Sequence, residues 1–333
     1  MQGSRNLSID LVKIVAMFGV MCLHSTHSYS IPGQLCFADI LYESAVVSMP
    51  LFFMVSGYLL IGREKTDYRY AFRKVIGIIR FVSIIVFSFW LARSVYHLQF
   101  DFVELFKSLV YPYIQRGQFG VFWYFGAMII LYLLYPAINT LYECHRHAYY
   151  ALLSTTLLAS YTMFISNLLW GGVFDTCENE PTICQTFRIW ISISYFMIGG
   201  LIHKLQNPKH SVFFIIALFV LNIVIEEWLC RYIGNEYSEY FYGSVYVQLL
   251  SVLVFLYILN IRLRHTKVIS ELSQLFLPVY TIHIFVIIEV NRVLIHFDYW
   301  FMPLICWLLV SIISVALSYV IMKIPFMKTI FKI

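Results

Sequence analysis

Charge is what this sequence has least of. Aspartate, glutamate, lysine and arginine together make up 12% of its 333 residues, where a soluble globule carries about 25%. That shortage excludes a water-soluble enzyme. No basic stretch is interleaved with aromatics on a soluble surface, so nucleic acid is not an expected partner. Metal-binding spacings are missing as well. There is no Cys-x-x-Cys and no His-Glu-x-x-His, so no metal is expected. No internal repeat, polar linker or low-complexity tract divides the chain, and the longest loops have only about twenty residues. Residues 1–333 read as one membrane-embedded domain. No small-residue cleavage site follows the first apolar run, which is too long for a signal-peptide core. The first helix is therefore expected to stay and to start the topology.

What is present is apolar length. Hydrophobic residues reach 61% and mean hydropathy is +0.78. The apolar runs are about twenty residues long, enough for a helix to cross a bilayer. The alternating ten-residue strands of a membrane β-barrel are absent. The expected fold is an all-α polytopic membrane protein with about ten transmembrane helices. They fall near 7–28, 40–61, 74–96, 119–139, 148–168, 186–203, 211–229, 242–260, 272–296 and 300–322. One set of alternate loops and termini holds fifteen basic residues, including Arg63, Lys65, Arg69, Arg73, Lys74, Lys204, Lys267 and Lys323. The other loops hold only Lys107, Arg116 and Arg231. An excess of Lys and Arg marks the cytoplasmic side, so both termini are expected in the cytoplasm. The formal charge of +5 reflects this topology.

Against this background the ionisable groups inside apolar runs stand out. Lys13 and His24 are eleven positions apart in the first run. Eleven helical steps return a side chain to within about 20° of its start and about 16 Å further along. Asp10 lies on the same side. Charged and titratable groups are costly in hydrocarbon and by default face a bundle interior or a wet cavity. Two readings stand side by side. In one, His24 moves protons or carries a group. In the other it is a hydrogen-bonded core histidine, with Asp10 and Lys13 paired at i,i+3. A second histidine, His283, follows Tyr280 near mid-membrane in the ninth run. Nearby Glu289 and Arg292 are spaced to pair with each other.

Other features have a plain reading beside a functional one. Ser56-Gly57 in the second run suits close helix packing or an opening for a ligand. Arg73 and Lys74, in the most basic stretch, suit either a lipid anchor or a phosphate cradle. Arg80 lies deeper, and is expected to face an anionic ligand or a buried carboxylate. Trp123-Tyr124 opens the fourth run, where an interfacial aromatic belt is the simpler reading. Arg188, Glu226 and Glu227 are expected at the outer rim. Cys177 and Cys184 are spaced for a short outer disulfide, with free thiols as the competing reading.

Together these residues resemble the acyltransferase-3 family of bacterial integral-membrane acyltransferases. The resemblance rests on five motifs in order. They are Asp10 and Lys13 with ten spacers before His24; Phe52-Phe53-x-x-Ser56-Gly57-Tyr58; the basic Arg73, Lys74 and Arg80; Trp123-Tyr124; and Tyr280-x-x-His283. Two positions depart from the family pattern. The first-span basic residue is usually Arg and here is Lys13. A His often placed two residues before the Trp is here Val121.

The resemblance implies an O-acetyltransferase that takes an acetyl group from acetyl-CoA. The implied acceptor is a hydroxyl of a cell-surface glycan, such as O-antigen or a lipid-linked precursor, at the bacterial inner membrane. It implies catalytic roles for His24, Lys13, Asp10, His283 and Tyr280. Arg73, Lys74, Arg80, Ser56 and Gly57 would hold the donor, its thioester arm entering where Gly57 lacks a side chain. Trp123 and Tyr124 would face the acceptor. Membrane lipid is the remaining expected partner. This chain matches the stand-alone form, without an extracytoplasmic esterase-like domain. A proton-coupled transporter or flippase is the alternative, since intramembrane His, Lys and Glu suit a relay.

Overall fold

The computed structural model describes residues 6–30, 35–63, 67–170, 183–203, 212–233, 241–261, 263, 267–294, 296–297 and 299–331. Fourteen α-helices are found among them: α1 (Leu7–Thr26), α2 (Phe37–Ser44), α3 (Ser48–Leu60), α4 (Tyr68–His97), α5 (Phe102–Val110), α6 (Trp123–Cys144) and α7 (Arg146–Trp170), then α8 (Ile189–Ile202), α9 (Val212–Ile233), α10 (Val245–Asn260), α11 (Lys267–Gln274), α12 (Phe276–Leu294), α13 (Met302–Ile321) and α14 (Pro325–Ile330). There is no strand among the described residues.

Eight helical segments are long and apolar enough to cross a membrane. The other two apolar segments, α8 and α10, have 14 and 16 residues. At 1.5 Å per residue they rise only about 21–24 Å. Two expected spans are broken rather than continuous. Pro50 has no N–H for the carbonyl of Val46 and its ring crowds that carbonyl, so α2 ends at Ser44 and α3 begins at Ser48. Pro278 does the same to the carbonyl of Gln274, where α11 gives way to α12.

Side chains cap several helix starts, accepting from N–H groups that have no intrahelical partner. Asn6 Oδ1 accepts from Ser8 N at 3.1 Å, Asp67 from Tyr70 N at 2.8 Å and Asp101 from Glu104 N at 3.0 Å. The short α5 lay unread within a loop in the sequence. It is amphipathic, with Phe102, Val103, Phe106 and Val110 exposed along one face. Such a helix suits the membrane surface rather than its interior.

The first helix is central. It packs against α2, α3, α10, α11, α12 and α13. Trp307 on α13 donates its indole N–H to the carbonyl of Phe18 at 2.9 Å. This placement lets α1 carry Asp10, Lys13 and His24 without turning them to lipid. Among the described residues the most extensive helix pairing is α3 with α8. Small residues on both sides allow it: a Cβ on Gly57 would sit 1.7 Å from the carbonyl oxygen of Phe196, and one on Gly199 would sit 2.1 Å from that of Met54.

Candidate active site

Asp10 is buried, and its carboxylate lies 3.8 Å from the ammonium of Lys13, which is half-buried. The i,i+3 pair therefore forms. Three turns further on, His24 is half-buried. Its neighbour is His283 of α12, with ring centroids 5.5 Å apart and planes tilted by 35°. His283 is fully buried. The backbone carbonyl of Tyr280 lies 2.8 Å from His283 Nδ1. A carbonyl can only accept, so Nδ1 carries the proton and Nε2 presents a lone pair. That Nε2 is buried and has no hydrogen-bond partner among the described residues. A buried acceptor left open is rare in a folded interior and marks a site with a task. The two motifs, far apart in sequence, thus meet as a half-buried histidine beside a fully buried one.

An aromatic wall supports this pair. Tyr280 stacks on Phe122 at 6.0 Å and meets Tyr124 at 6.0 Å and His283 at 5.7 Å. Its hydroxyl donates to the backbone carbonyl of Val121. That proton is engaged by backbone, so Tyr280 ties α12 to the turn before α6 rather than offering a donor to an oxyanion. Trp123 and Tyr124 do not lie in an interfacial belt. Both are buried, Trp123 against Phe53 at 6.3 Å and Tyr124 against Phe52 at 5.9 Å and Phe53 at 5.3 Å. Ser56 bonds the carbonyl of Phe52 at 3.0 Å and touches the sulfur of Met128 at 3.8 Å. The space beside Gly57, where the sequence suggested a path for the thioester arm, is filled by the backbone of α8.

The basic residues divide. Lys74 is half-buried near Arg63 and Arg73, with its ammonium 5.7 Å from the Tyr70 ring. Tyr70 in turn meets Tyr135 at 6.3 Å. Arg80 is not brought to this group. The buried stripe of α4 runs Ala71, Val75, Ile78, Val82 and Val86, and Arg80 lies about 200° from Ile78, on the exposed face. Among the described residues no ion pair joins it to a buried carboxylate.

Three residues expected at a rim or interface behave differently from one another. Glu226 and Arg188 are buried, at 0% and 3% exposure. Glu226 sits on α9 one turn from Asn222, whose amide reaches the backbone carbonyl of Glu43 at 3.3 Å. Glu227 is half-buried and pairs with Arg231 at 2.5 Å. A pair of adjacent glutamates on a helix must split in this way, since they differ by 100°. Glu289 and Arg292 pair at 3.0 Å on an exposed face. The Cys177–Cys184 bridge lies outside the described residues, because Cys177 is not among them. Among the described residues no cluster suits a metal.

A helical bundle with a histidine pair at its centre and a basic patch at one end defines a membrane enzyme rather than a soluble one. The chain belongs to the acyltransferase-3 family: residues 6–323 match its acyltransferase domain. It is also similar to an amino-acid racemase of Enterococcus faecalis, 23% identical over 310 residues, covering 86% of this chain and 41% of that protein. A serine/alanine racemase of Enterococcus gallinarum is 24% identical over 298 residues, covering 84% of this chain and 40% of that protein. The chain thus spans about two fifths of the length of these relatives. No solved structure matches it.

Proposed function

We propose that this membrane acyltransferase moves an acetyl group from acetyl-CoA to a hydroxyl of a cell-surface glycan or its lipid-linked precursor, in the bacterial inner membrane with both termini cytoplasmic. The observation that carries the reading is the meeting of His24 and His283, their rings 5.5 Å apart, inside a chain of this family. Arg73 and Lys74 hold the phosphates of coenzyme A, for which basic side chains at the cytoplasmic face are suited. His24 takes the proton of the acceptor hydroxyl. The hydroxyl oxygen then forms its bond to the thioester carbon, the carbon–sulfur bond breaks, and coenzyme A leaves as a thiolate that is protonated. His283 acts as a positioning residue, its ring packed 5.5 Å from that of His24 and limiting how that ring can turn. Asp10 and Lys13 supply a paired charge along the inner part of the route. Trp123 and Tyr124 shape the aromatic wall on the acceptor side. The racemase names belong to proteins that extend well beyond the matched part and supply no step here.

The test uses membranes holding wild type or His24→Ala, matched for folded protein, with acetyl-labelled acetyl-CoA and lipid-linked glycans. Label entering an alkali-labile glycan fraction with wild type alone supports the reading. Equal incorporation by both proteins removes His24 from the chemistry. No thioester consumption by well-folded protein rejects the acyltransferase assignment and favours a transporter.

A further inference from the structure

The helices α11 and α13 both pack on α1, and a groove of about 440 Å³ lies between them, lined also by Phe18 of α1. Its walls are apolar: Leu272 and Leu275 from α11, and Ile312, Val315 and Ala316 from α13. The lining follows the helical repeat on both sides. On α13, Ser311, Val315 and Tyr319 are spaced four apart, and on α11, Leu272 and Leu275 are spaced three apart, so each set shares one face of its helix. From Ser311 to Tyr319 the groove rises about 12 Å. That length fits inside one leaflet of a hydrocarbon layer about 30 Å thick.

The end of the groove at Tyr319 and Glu271 is charged. Lys323 holds its ammonium 4.4 Å from the centroid of the Tyr319 ring and lies near enough to Glu271 to feel its charge. Lys267 stands 3.7 Å from Glu271. The side chains of that pair are 88% and 51% exposed, and an ion pair so open to water holds weakly. The rim therefore sets two ammonium groups against one carboxylate. Both lysines belong to the basic set of loops, which marks the cytoplasmic side.

These features select the occupant. A sugar or nucleotide would lose its hydrogen bonds to water against walls of Leu, Ile, Val and Phe, which is costly. A partner helix is about 10 Å across and would need roughly 900 Å³ over the length of the groove, about twice what is there. A lipid tail is slimmer and has no hydrogen bonds to lose. On an anionic lipid it ends in a charge that complements the rim, and basic residues at a membrane surface favour such headgroups.

We propose that this groove holds an acyl chain of an anionic phospholipid of the cytoplasmic leaflet, with the headgroup phosphate on Lys323 and Lys267. The choice of leaflet rests on the orientation proposed above. The bound chain fills the gap that α11 and α13 leave beside α1, and so braces the helix that carries Asp10, Lys13 and His24.

The test uses the full-length protein in detergent with phosphatidylglycerol that bears a diazirine in its acyl chain. After illumination, mass spectrometry maps the labelled peptides. Label should gather on 268–275 and 311–319, and should leave both segments in Ala316→Trp, whose indole fills the groove. Unlabelled phosphatidylglycerol should displace the probe at about five-fold lower concentration than phosphatidylcholine. In Lys323→Gln that preference should vanish while the labelled segments stay the same. Lys323 is exposed, so its variant keeps the test sound if Ala316→Trp fails to fold. Label spread evenly over the apolar helices, equal displacement by the two lipids, or a preference that survives in Lys323→Gln overturns the proposal. Undecaprenyl phosphate displacing the probe better than phosphatidylglycerol rejects a phospholipid as the occupant. A second arm tests the leaflet with Lys323→Cys and a membrane-impermeant maleimide added to spheroplasts. No labelling beyond that of wild type is expected. Labelling from outside overturns the orientation and the leaflet with it, while the photolabelling still decides on the groove.

Discussion

A methyl group at Gly57 separates two roles for that position. If the missing side chain makes room for a thioester, Gly57→Ala should fold normally and bind acetyl-CoA poorly. The structure demands another result. The new Cβ would stand 1.7 Å from the Phe196 carbonyl oxygen, about half an ordinary contact distance. The obstacle is helix backbone, which has no rotamer to change. The α3 and α8 helices would have to separate by more than 1 Å, and that would also open the reciprocal contact of Gly199 with Met54. Overpacking of this kind costs at least the upper end of about 1–3 kcal/mol. At roughly 2–4 °C per kcal/mol, the apparent Tm should fall by roughly 6–12 °C. The assay is thermal unfolding of purified protein in detergent, with Gly200→Ala and Gly62→Ala for comparison. A Cβ on Gly200 would meet the Cδ1, Cβ and Cγ2 of the buried Ile61 at 2.6–2.8 Å, so it too should lower Tm, whereas Gly62→Ala, whose Cβ would meet nothing closer than the Tyr142 ring at 3.4 Å but sits at φ +85°, should lose only the cost of that backbone conformation. An unchanged Tm for Gly57→Ala, with the defect confined to the acetyl-CoA KM, would refute the packing argument.

Four further outcomes are expected. His24→Ala should lower acetyl transfer by about 10²–10⁴-fold, while His283→Gln should lower kcat with little change in either KM; equal loss of donor binding in both variants would count against these separate roles. Lys74→Gln should raise the acetyl-CoA KM and Arg80→Gln should not, because only Lys74 turns toward the basic cluster; a matching rise for Arg80→Gln would mean the exposed face of α4 meets the donor. Tyr280→Phe removes the hydroxyl that reaches Val121 and should cost about 0.5–1.5 kcal/mol of stability, seen as a lower Tm. Glu226→Gln keeps the shape of a fully buried side chain and removes its titratable group, so it should hold or raise Tm, since burial penalises the ionised form; a large drop would show that Glu226 is needed in ionised form.

The legibility of this protein varied from residue to residue. Helical periodicity was enough to place Asp10, Lys13 and His24 on one stripe, because α1 is nearly regular over its length. The proximity of His24 and His283 was not readable from periodicity, since it depends on how α1 and α12 pack. Arg80 illustrates a related limit. Depth within an apolar run says nothing of direction, and the burial stripe of α4 passes on the other side. Trp123 looked interfacial because it begins a helix, yet the turn at Gly120–Phe122 carries that helix start into the bundle. Glu226 looked like rim for the same reason of position. The apolar residues Phe102, Val103, Phe106 and Val110 recur at helical spacing, a signal for α5, but a nine-residue segment between long apolar runs is too short to read as a span.

The central position of α1 has a consequence for how the protein is made. Its partners α12 and α13 are encoded near the other end of the chain, and the Phe18–Trp307 bond joins positions 289 apart. At about 5–20 residues per second, translation leaves α1 waiting roughly 15–60 s for that contact. During this interval Lys13, Asp10 and His24 have no completed bundle to turn toward. The helix must rest at the insertion machinery, or against the early helices α2 and α3, until the last third of the chain arrives to close around it. Ribosome stalling or depletion of insertion factors late in synthesis should therefore harm this protein more than one whose first helix packs only on its sequence neighbours.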